Sequence, residues 1–372
     1  MEARRLALRA LDRIERGGAY ANLLVPRMLD DSGLPPEDRR FVTELVYGTT
    51  RMRRACDWVV TRHLQKPPST RALLALRLGA YQILFAGVDP HAAVETTVEV
   101  APRWAKGLVN AVLRRVAEEA ASGVEWPDEP TRLSYPDWIY EKATDDLGAD
   151  RGVLVLESMN RGVEPTRRSD GYVQDPASLR VAESLAVREG DVVVDLCAAP
   201  GGKATYLAGE GASVVAVDVH SRRCRLIAAN AEACGVGLSV VCADGRNPPL
   251  RPGSADVVLV DAPCSGLGVL HRRPDARWRL DPDAPRRLAD LQKELLQAGA
   301  ELVRRGGRLV YSVCTFTREE TNGVVEHLLR TRREVRLADS PVEGWERWGC
   351  GWLLAPPGYG GDAMFMAVLV RS

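Results

Sequence analysis

Two cysteines in similar settings are the residues best suited to covalent chemistry. Cys264 lies in DAPCSG, directly after the apolar run DVVLVD, and Cys314 follows GRLVYSV. A thiolate is a strong nucleophile, and its pKa falls near positive charge. A lone cysteine at the end of a strand is more often inert. A pair at the ends of neighbouring strands indicates nucleophilic chemistry.

Two aspartates occupy similar places earlier in the chain. Asp218 ends SVVAVD, and a carboxylate there can accept hydrogen bonds from ribose hydroxyls. Asp244 follows LSVVCA, where it can reach an adenine amino group. Either one alone would be explained by a helix cap or a turn. Together, beside a glycine-rich loop, they predict a nucleoside ligand.

The stretch DVVVDLCAAPGGK, from Asp191 to Lys203, organises this half of the chain. An apolar run ends in a loop of Ala, Pro and Gly, and a helix-like segment follows, which is typical of the first unit of a nucleotide-binding α/β sheet. Gly201 and Gly202 allow the backbone to approach a ligand closely. The loop is not GxGxxG, which disfavours a dinucleotide site. An ordinary strand-to-helix turn is the alternative.

Alternation of strands and helices begins at about residue 180. The pattern predicts a mostly parallel, doubly wound sheet, with a last strand that could enter antiparallel. We expect strands at 192–196, 213–219, 238–243, 256–261, 307–314 and 364–370, and helices at 221–234, 283–305 and 318–331.

Residues 2–120 show helical periodicity without strand-like alternation, which predicts an all-α bundle. A connector follows at 121–175, which is Pro- and acid-rich and then hydrophobic around Trp138, Ile139 and Tyr140. For the polar, turn-rich stretch at 158–178 we expect no regular core. A chain of 372 residues suggests two or three domains. We place them at 1–122, 123–178 and 179–372.

The amino-acid composition indicates a globular protein rather than a membrane or disulfide-rich one. Hydrophobic content of 45% and charged content of 27% are typical of globular proteins. No apolar run is long enough to span a membrane and no secretory signal is evident, so we expect a cytoplasmic protein without disulfides. The eight cysteines form no metal-ligand spacing, so we expect no metal. We also expect a monomer.

The helical region resembles the RNA-binding domain of the NusB antitermination factor. The resemblance rests on ANLLVPRML, DRRFVTELVYGTTR, LRLGAYQILF, HAAVETTVEVA and GLVNAVLRRV, in that order. Residues 1–120 contain 19 Lys/Arg against 14 Asp/Glu. The positions we expect to contact phosphates are Arg4, Arg5, Arg51, Arg53 and Arg54. A solvated charged face is the alternative.

The second half resembles the RNA (cytosine-5)-methyltransferases. The motifs are DLCAAPGGK, AVD, CADGR, DAPCSGLGVLHRRPDARW, GGRLVYSVCTFTREE and the closing GYGGDAMFMAVLV. With its NusB-like domain the chain resembles the Sun/Fmu (RsmB) type, which methylates a cytosine of 16S ribosomal RNA. The resemblance implies a Rossmann-like class I methyltransferase with a mostly parallel seven-stranded sheet and S-adenosylmethionine as cofactor.

Roles for individual residues follow from this resemblance. Cys314 is the expected nucleophile at C6 of cytosine, Cys264 assists product release, and Asp261 hydrogen-bonds the N3 edge. The expected cofactor-binding residues are Cys197, Ala198, Ala199, Pro200, Gly201, Gly202, Lys203, Asp218, Asp244 and Asp261. Because a base in folded RNA must be unstacked to react, a basic segment is expected to grip the flanking backbone through His271, Arg272, Arg273 and Arg277. A surface loop held by packing of Trp278 is the alternative for that segment.

Two departures from the family pattern leave alternatives open. Val313 stands where the family usually has Thr before the nucleophile. The RNA-recognition-like subdomain is largely deleted, because Asn160 and Gln174 are only fourteen residues apart. Methylation of another RNA such as tRNA therefore stays possible, as does a catalytically weak RNA-binding or ribosome-assembly factor. DNA methylation is disfavoured, because the DNA enzymes place their nucleophile on the fourth-strand Pro-Cys.

Overall fold

The computed structural model describes residues 1–163, 166–338, 344–359 and 361–372. Parts of the predicted connector (164–165) and of the GYGG motif (360) lie outside this set. The chain packs as two compact units. The first contains 1–141, 159–162 and 270–280, and the second contains 142–158, 163–269 and 281–372. The segment predicted as a separate connector contributes residues to both units.

The first unit is helical, as predicted. Its central helix, α5 (Thr70–Leu84), is buried along most of its length because its apolar residues surround the axis, and it packs against the helices at 36–51, 53–61, 90–100 and 106–122. Ser69 caps α5 through the N–H of Ala72, and Asp89 caps the helix at 90–100 in the same way. The helices from the N-terminus through the connector are α1 (Glu2–Glu15), α2 (Ala21–Asp30), α3 (Pro36–Arg51), α4 (Arg53–Thr61), α5 (Thr70–Leu84), α6 (Pro90–Val100), α7 (Lys106–Ser122), α8 (Glu129–Leu133), α9 (Asp137–Leu147) and α10 (Ala149–Ser158).

The second unit is built on a mixed sheet, together with a separate two-stranded ribbon of β1 and β2. The strands are β1 (Thr166–Arg167), β2 (Val173–Gln174), β3 (Val192–Asp195), β4 (Ser213–Asp218), β5 (Ser239–Cys242), β6 (Ala255–Asp261), β7 (Val303–Val313), β8 (Val335–Leu337), β9 (Glu346–Trp348), β10 (Gly351–Leu354) and β11 (Met364–Arg371). The remaining helices are α11 (Pro176–Ser184), α12 (Gly202–Gly209), α13 (Ser221–Ala233), α14 (Ala284–Leu302) and α15 (Asn322–Thr331).

The order of the sheet is β5-β4-β3-β6-β7-β11-β10-β9, with β8 also on β11. In this order the five strands β5, β4, β3, β6 and β7 are parallel to one another, and β11 enters antiparallel to β7, as the sequence allowed. The predicted count of seven strands is wrong, because the described residues form nine. The strands of this sheet that were not predicted, β8, β9 and β10, have three or four residues each, too few for a period of two to be visible.

The residues of the candidate site lie at the carboxyl ends of the parallel strands, at one edge of the sheet. Asp195, Asp218 and Asp261 end β3, β4 and β6, and Cys314 directly follows β7. From β3 the chain builds outward through β4 and β5, then crosses to the other side of β3 for β6 and β7. Ligands of open α/β sheets bind at such a switch point, outside the carboxyl ends of the strands.

None of the described helices has the length and apolar character needed to cross a membrane. All eight cysteines are free thiols.

Candidate active site

The two predicted cysteines lie side by side. The Sγ atoms of Cys264 and Cys314 are 3.2 Å apart, a hydrogen-bond distance and not a disulfide. β6 and β7 bring them together, because Asp261 pairs with Ser312 in the parallel register. The hydrogen bond to Cys314, together with burial, raises the pKa of Cys264 well above its ordinary value. Cys264 therefore keeps its proton and can donate it to the neighbouring sulfur.

A buried glutamate joins the two loops that carry these thiols. Glu320 is fully buried and accepts hydrogen bonds from the main-chain N–H of Ser265 at 2.7 Å and from the Ser265 hydroxyl at 2.5 Å. Thr317 and Gln292 donate to the same carboxylate at 2.8 and 3.1 Å. Burial raises the pKa of Glu320, although these hydrogen bonds oppose the shift. Glu320 is the last residue of the GGRLVYSVCTFTREE motif, but the sequence assigned it no role, because its partners Ser265 and Gln292 are distant in the chain.

Gly268 closes the thiol site from the side of the SGLG loop. Its N–H donates to the Cys314 carbonyl at 3.0 Å, and its own carbonyl accepts from Ala363 at 2.9 Å. A Cβ at this position would lie 2.0 Å from the Ala363 carbonyl oxygen and 2.8 Å from that of Cys314. Only glycine fits without moving the backbone of Cys314.

A charged pair lies at the same edge of the sheet. Lys203 Nζ donates to Asp261 Oδ2 at 2.7 Å and to Ser178 Oγ at 2.9 Å. Burial alone would lower the pKa of Lys203, but the Asp261 carboxylate outweighs it and the net shift is upward. Lys203 is therefore a cation that fixes the orientation of Asp261.

Asp195 is a further carboxylate that the sequence analysis did not assign to the site. It is 1% exposed, and burial followed by the nearby charge of Asp261 raises its pKa to about 7. The Cys197 N–H donates to Asp195 Oδ1 at 3.3 Å. The signal in the sequence was its position at the end of β3, the same position that marked Asp218 on β4.

The loop after β3 is held by α13. The Asn230 side chain donates to the Pro200 carbonyl at 2.8 Å, and Arg223 donates to that of Ala199 at 3.2 Å. Gly201 has φ +104°, a left-handed conformation that other residues rarely adopt, and it caps α12. The Ala198 N–H donates to the Val217 carbonyl at 2.9 Å. The loop is thus fixed against β4.

The two predicted nucleoside carboxylates differ in their surroundings. Asp218 is 4% exposed, accepts from the His220 N–H at 3.0 Å and lies 3.4 Å from Arg223. Asp244 is more exposed and pairs with Arg246 at 2.6 Å, and that hydrogen-bonded partner lowers the pKa of Asp244. Val219, directly after Asp218, is 55% exposed and offers an apolar surface for a planar base.

The prediction that Arg51, His271 and Arg277 contact RNA is corrected here, because their side chains are buried within the first unit. The Arg277 guanidinium bonds Asn160 Oδ1 at 2.8 Å and the Met159 carbonyl at 3.1 Å, and it stacks 3.8 Å from the Tyr135 ring centroid. Burial lowers the pKa of Arg277 to about 10. Arg51 donates to the carbonyl of His271, itself 3% exposed, at 2.8 Å. These side chains hold the protein together and present no charge to a ligand at the surface.

Other predicted arginines also have protein partners. Arg4 donates to Gln82 at 2.8 Å, Arg53 pairs with Glu15 at 3.3 Å, and Arg54 donates to Asp137 at 2.6 Å. Trp278 donates to the Thr50 carbonyl at 2.7 Å, as the packing alternative for that segment expected. The predicted residues that stay exposed are Arg5, Arg272 and Arg273.

Comparisons with known proteins agree with this architecture. Residues 182–370 match the family model described as 16S rRNA methyltransferase RsmB/F, and residues 1–118 match the NusB family. The crystal structure of PH0851 superposes on the whole chain with a TM-score of 0.79 and 22% identity, covering 98% of that chain. A methyltransferase homologue from Pyrococcus horikoshii aligns with a TM-score of 0.56 and 21% identity over 67% of this chain and all of the other. At these identities the two structures show the fold alone.

Curated relatives extend the match to the full length. The ribosomal RNA small subunit methyltransferase B of Thermus thermophilus is 38% identical, with 90% of this chain and 88% of that protein aligned. The protein of the same name from Salmonella paratyphi B is 28% identical over 99% of this chain and 98% of its own length. The chain belongs to the RsmB/F family of S-adenosylmethionine-dependent RNA methyltransferases and has a NusB-family N-terminal domain.

Proposed function

We propose that the chain methylates C5 of a cytosine in 16S ribosomal RNA through a covalent bond between Cys314 and C6. The observation that carries the proposal is the pair of thiols, 3.2 Å apart, at the edge of the sheet where Lys203 orients Asp261. The names of the curated relatives support 16S rRNA as the substrate.

The residues at the switch point suit S-adenosylmethionine. The fixed backbone of residues 197–202 and the Lys203 cation would hold the methionine end, Asp218 would accept from the ribose hydroxyls, and Val219 would pack against adenine. Asp244 would bind the adenine amino group in competition with Arg246. When bound, the cofactor supplies an electrophilic methyl group.

The chemistry of cytosine explains the need for a thiolate. C5 is a poor nucleophile, so the Cys314 thiolate first adds to C6 while Asp261 supports a proton at N3, and C5 becomes enamine-like. After C5 is methylated, a water molecule takes the C5 proton, the electron pair of that C–H bond re-forms the double bond between C5 and C6, and the bond between C6 and sulfur breaks to release the Cys314 thiolate. Cys264, kept neutral by its raised pKa, donates a hydrogen bond to the departing sulfur.

The replacement of Thr by Val313 leaves this chemistry possible. Val313 is fully buried on β7 and points its side chain into packed protein. Hydroxyls remain close by, because Thr315 Oγ1 and Ser265 Oγ are 3.1 Å apart in the Glu320 network. The thiol positions are therefore supported without a hydroxyl at 313.

Methyl transfer to defined RNAs tests the proposal. In the first experiment, protein and labelled cofactor are incubated with 16S rRNA, small ribosomal subunits or tRNA. In the second, bisulfite sequencing of RNA from cells with and without the protein maps the methylated cytosine. We expect one 5-methylcytosine in 16S rRNA. Methylation of tRNA alone would support the other substrate, and no methylation of any RNA would support an assembly factor.

Cofactor binding is tested separately by calorimetry. Asp218→Ala should weaken S-adenosylmethionine by about 1–3 kcal/mol, the value of a hydrogen bond to a charged group. The exposed Asp290, paired with Lys293, serves as the control, because Asp290→Ala removes the same charge on α14. Equal affinities for wild type and Asp218→Ala would contradict the ribose assignment.

A further inference from the structure

A strip of exposed residues just before α7 and along that helix combines an aromatic ring, an apolar side chain and arginines. Trp104 lies two residues before the helix and is 67% exposed, and Leu108 is 39% exposed. Ala111 and Arg115 follow at helical spacing and are also exposed. We call the following residues the α7 strip: Arg103, Trp104, Leu108, Ala111, Arg114 and Arg115.

The cations of the strip are available for an external anion. Among the described residues, no ion pair involves Arg103, Arg114 or Arg115, whereas Arg53, Arg54 and Arg77 are all paired with carboxylates. Glu118, one turn beyond Arg114, forms no ion pair within 4 Å in the described part of the chain. The strip thus combines an exposed indole with three exposed guanidinium groups.

We infer that the α7 strip binds an unpaired stretch of RNA, with a base stacked on Trp104 and phosphates on Arg114 and Arg115. This inference rests on the proposed function for the presence of RNA. An exposed aromatic ring beside cations is the arrangement that single-stranded nucleic acid recognises, because every base has a face that can stack and every nucleotide carries a charge. The arginines predicted from the sequence cannot serve in this way where they are buried, as Arg51 is.

Fluorescence anisotropy tests the inference. The probe is a labelled 12-nucleotide single-stranded RNA, and its binding to the full-length protein is measured between 50 and 300 mM KCl. Trp104→Ala should weaken binding about 10-fold, and Trp104→Tyr should restore most of the affinity, because stacking needs only a ring. Arg114→Gln with Arg115→Gln should lower the slope of log K against log salt by about 1.4, the value for two phosphates of a single strand.

Matched controls distinguish RNA binding by the α7 strip from a general effect of positive charge or of exposed apolar side chains. Arg27→Gln with Arg40→Gln removes two exposed charges from α2 and α3, and Leu23→Ala removes an apolar side chain that is 56% exposed. Both should bind as wild type does. Wild-type affinity in Trp104→Ala and in the double variant, or equal losses in the controls, would overturn the inference.

Methyl transfer by the wild type distinguishes the two proposals. If the wild type methylates RNA while Trp104→Ala binds RNA normally, the strip is excluded and the proposed function stands. If Trp104→Ala loses RNA binding while the wild type methylates nothing, the strip stands and the proposed function fails.

Discussion

The Glu320 carboxylate accepts both the main-chain N–H and the hydroxyl of Ser265, a residue 55 positions earlier in the chain. This contact ties the loop of Cys264 to the loop of Cys314, because Glu320 also accepts from Thr317. The separation of the two thiols therefore depends on a residue outside the thiol pair.

Glu320→Ala should reduce kcat for methyl transfer about 100-fold, because small displacements of reacting groups have effects of that size. The affinity for S-adenosylmethionine should stay within about two-fold of wild type, since the cofactor residues lie on other loops. Glu320→Gln, which keeps one acceptor, should recover part of the rate. The adjacent Glu319, which is partly exposed and pairs with Lys142, is the matched control. A normal kcat in Glu320→Ala would show that the network does not position the thiols.

Gly268→Ala should lower the free energy of unfolding by about 1–3 kcal/mol, the usual effect of overpacking. Its Cβ would lie 2.0 Å from the Ala363 carbonyl oxygen, so the backbone that bonds Cys314 must shift, and methyl transfer should fall as well. Gly237→Ala is the control, because a Cβ there meets no atom within 4 Å. Denaturant unfolding and single-turnover rates measure both effects. Equal behaviour of the two variants would refute the steric account.

Asp195 should make stability depend on pH. Its pKa rises from 3.8 to about 7 on folding, so the folded state holds a proton that the unfolded state has released. Stability from this group is fully present below about pH 4 and falls until about pH 7, by roughly 4 kcal/mol in all. Relative to wild type, Asp195→Asn should therefore gain stability as the pH rises over this window.

Denaturant unfolding at pH 4.5, 5.5, 6.5 and 7.5 measures the difference between Asp195→Asn and wild type. The control is Asp256→Asn, since hydrogen bonds from Val192 and Arg304 lower the pKa of Asp256. Its contribution is lost only on acidification below about pH 4, so the difference between Asp256→Asn and wild type should stay constant over this pH range. A constant difference between Asp195→Asn and wild type would contradict the raised pKa.

Arg277→Met should destabilise the first unit by about 3 kcal/mol or more, because it leaves buried acceptors on Asn160 and Met159 without a donor. Arg273→Met, four residues earlier and exposed at the surface, should change stability by less than about 0.5 kcal/mol. Thermal unfolding compares the two variants, and the salt dependence of RNA binding is measured in parallel. Normal stability of Arg277→Met combined with a weaker salt dependence would restore the original interpretation of Arg277 as an RNA contact.

The sequence predicted the parts of the site that follow from local pattern. Asp218, Asp261 and Cys314 each stand at the carboxyl end of an apolar run, and parallel pairing brings such ends to one edge. The mixed sheet and the helical first unit follow from periodicity in the same way. The two families were recognisable because their motifs are contiguous.

Properties that depend on contacts between residues distant in the sequence could not be predicted from local sequence patterns. The burial of Arg277 depends on Tyr135 and Asn160, each more than 100 positions away. The function of Glu320 depends on Ser265, and the pKa of Asp195 on the charge at Asp261. A basic string alone does not reveal whether its side chains face solvent or the interior.

The central claim is that Cys314 is the nucleophile and that Cys264 assists its release. Denaturing electrophoresis of Cys264→Ala and Cys314→Ala, each incubated with 16S rRNA and S-adenosylmethionine, tests it directly. We expect a band of protein–RNA mass in Cys264→Ala alone, because addition and methylation proceed there while elimination stalls. Cys314→Ala should form neither adduct nor product. An adduct in Cys314→Ala alone would reverse the assignment, and methylation without an adduct by both variants would contradict the covalent mechanism.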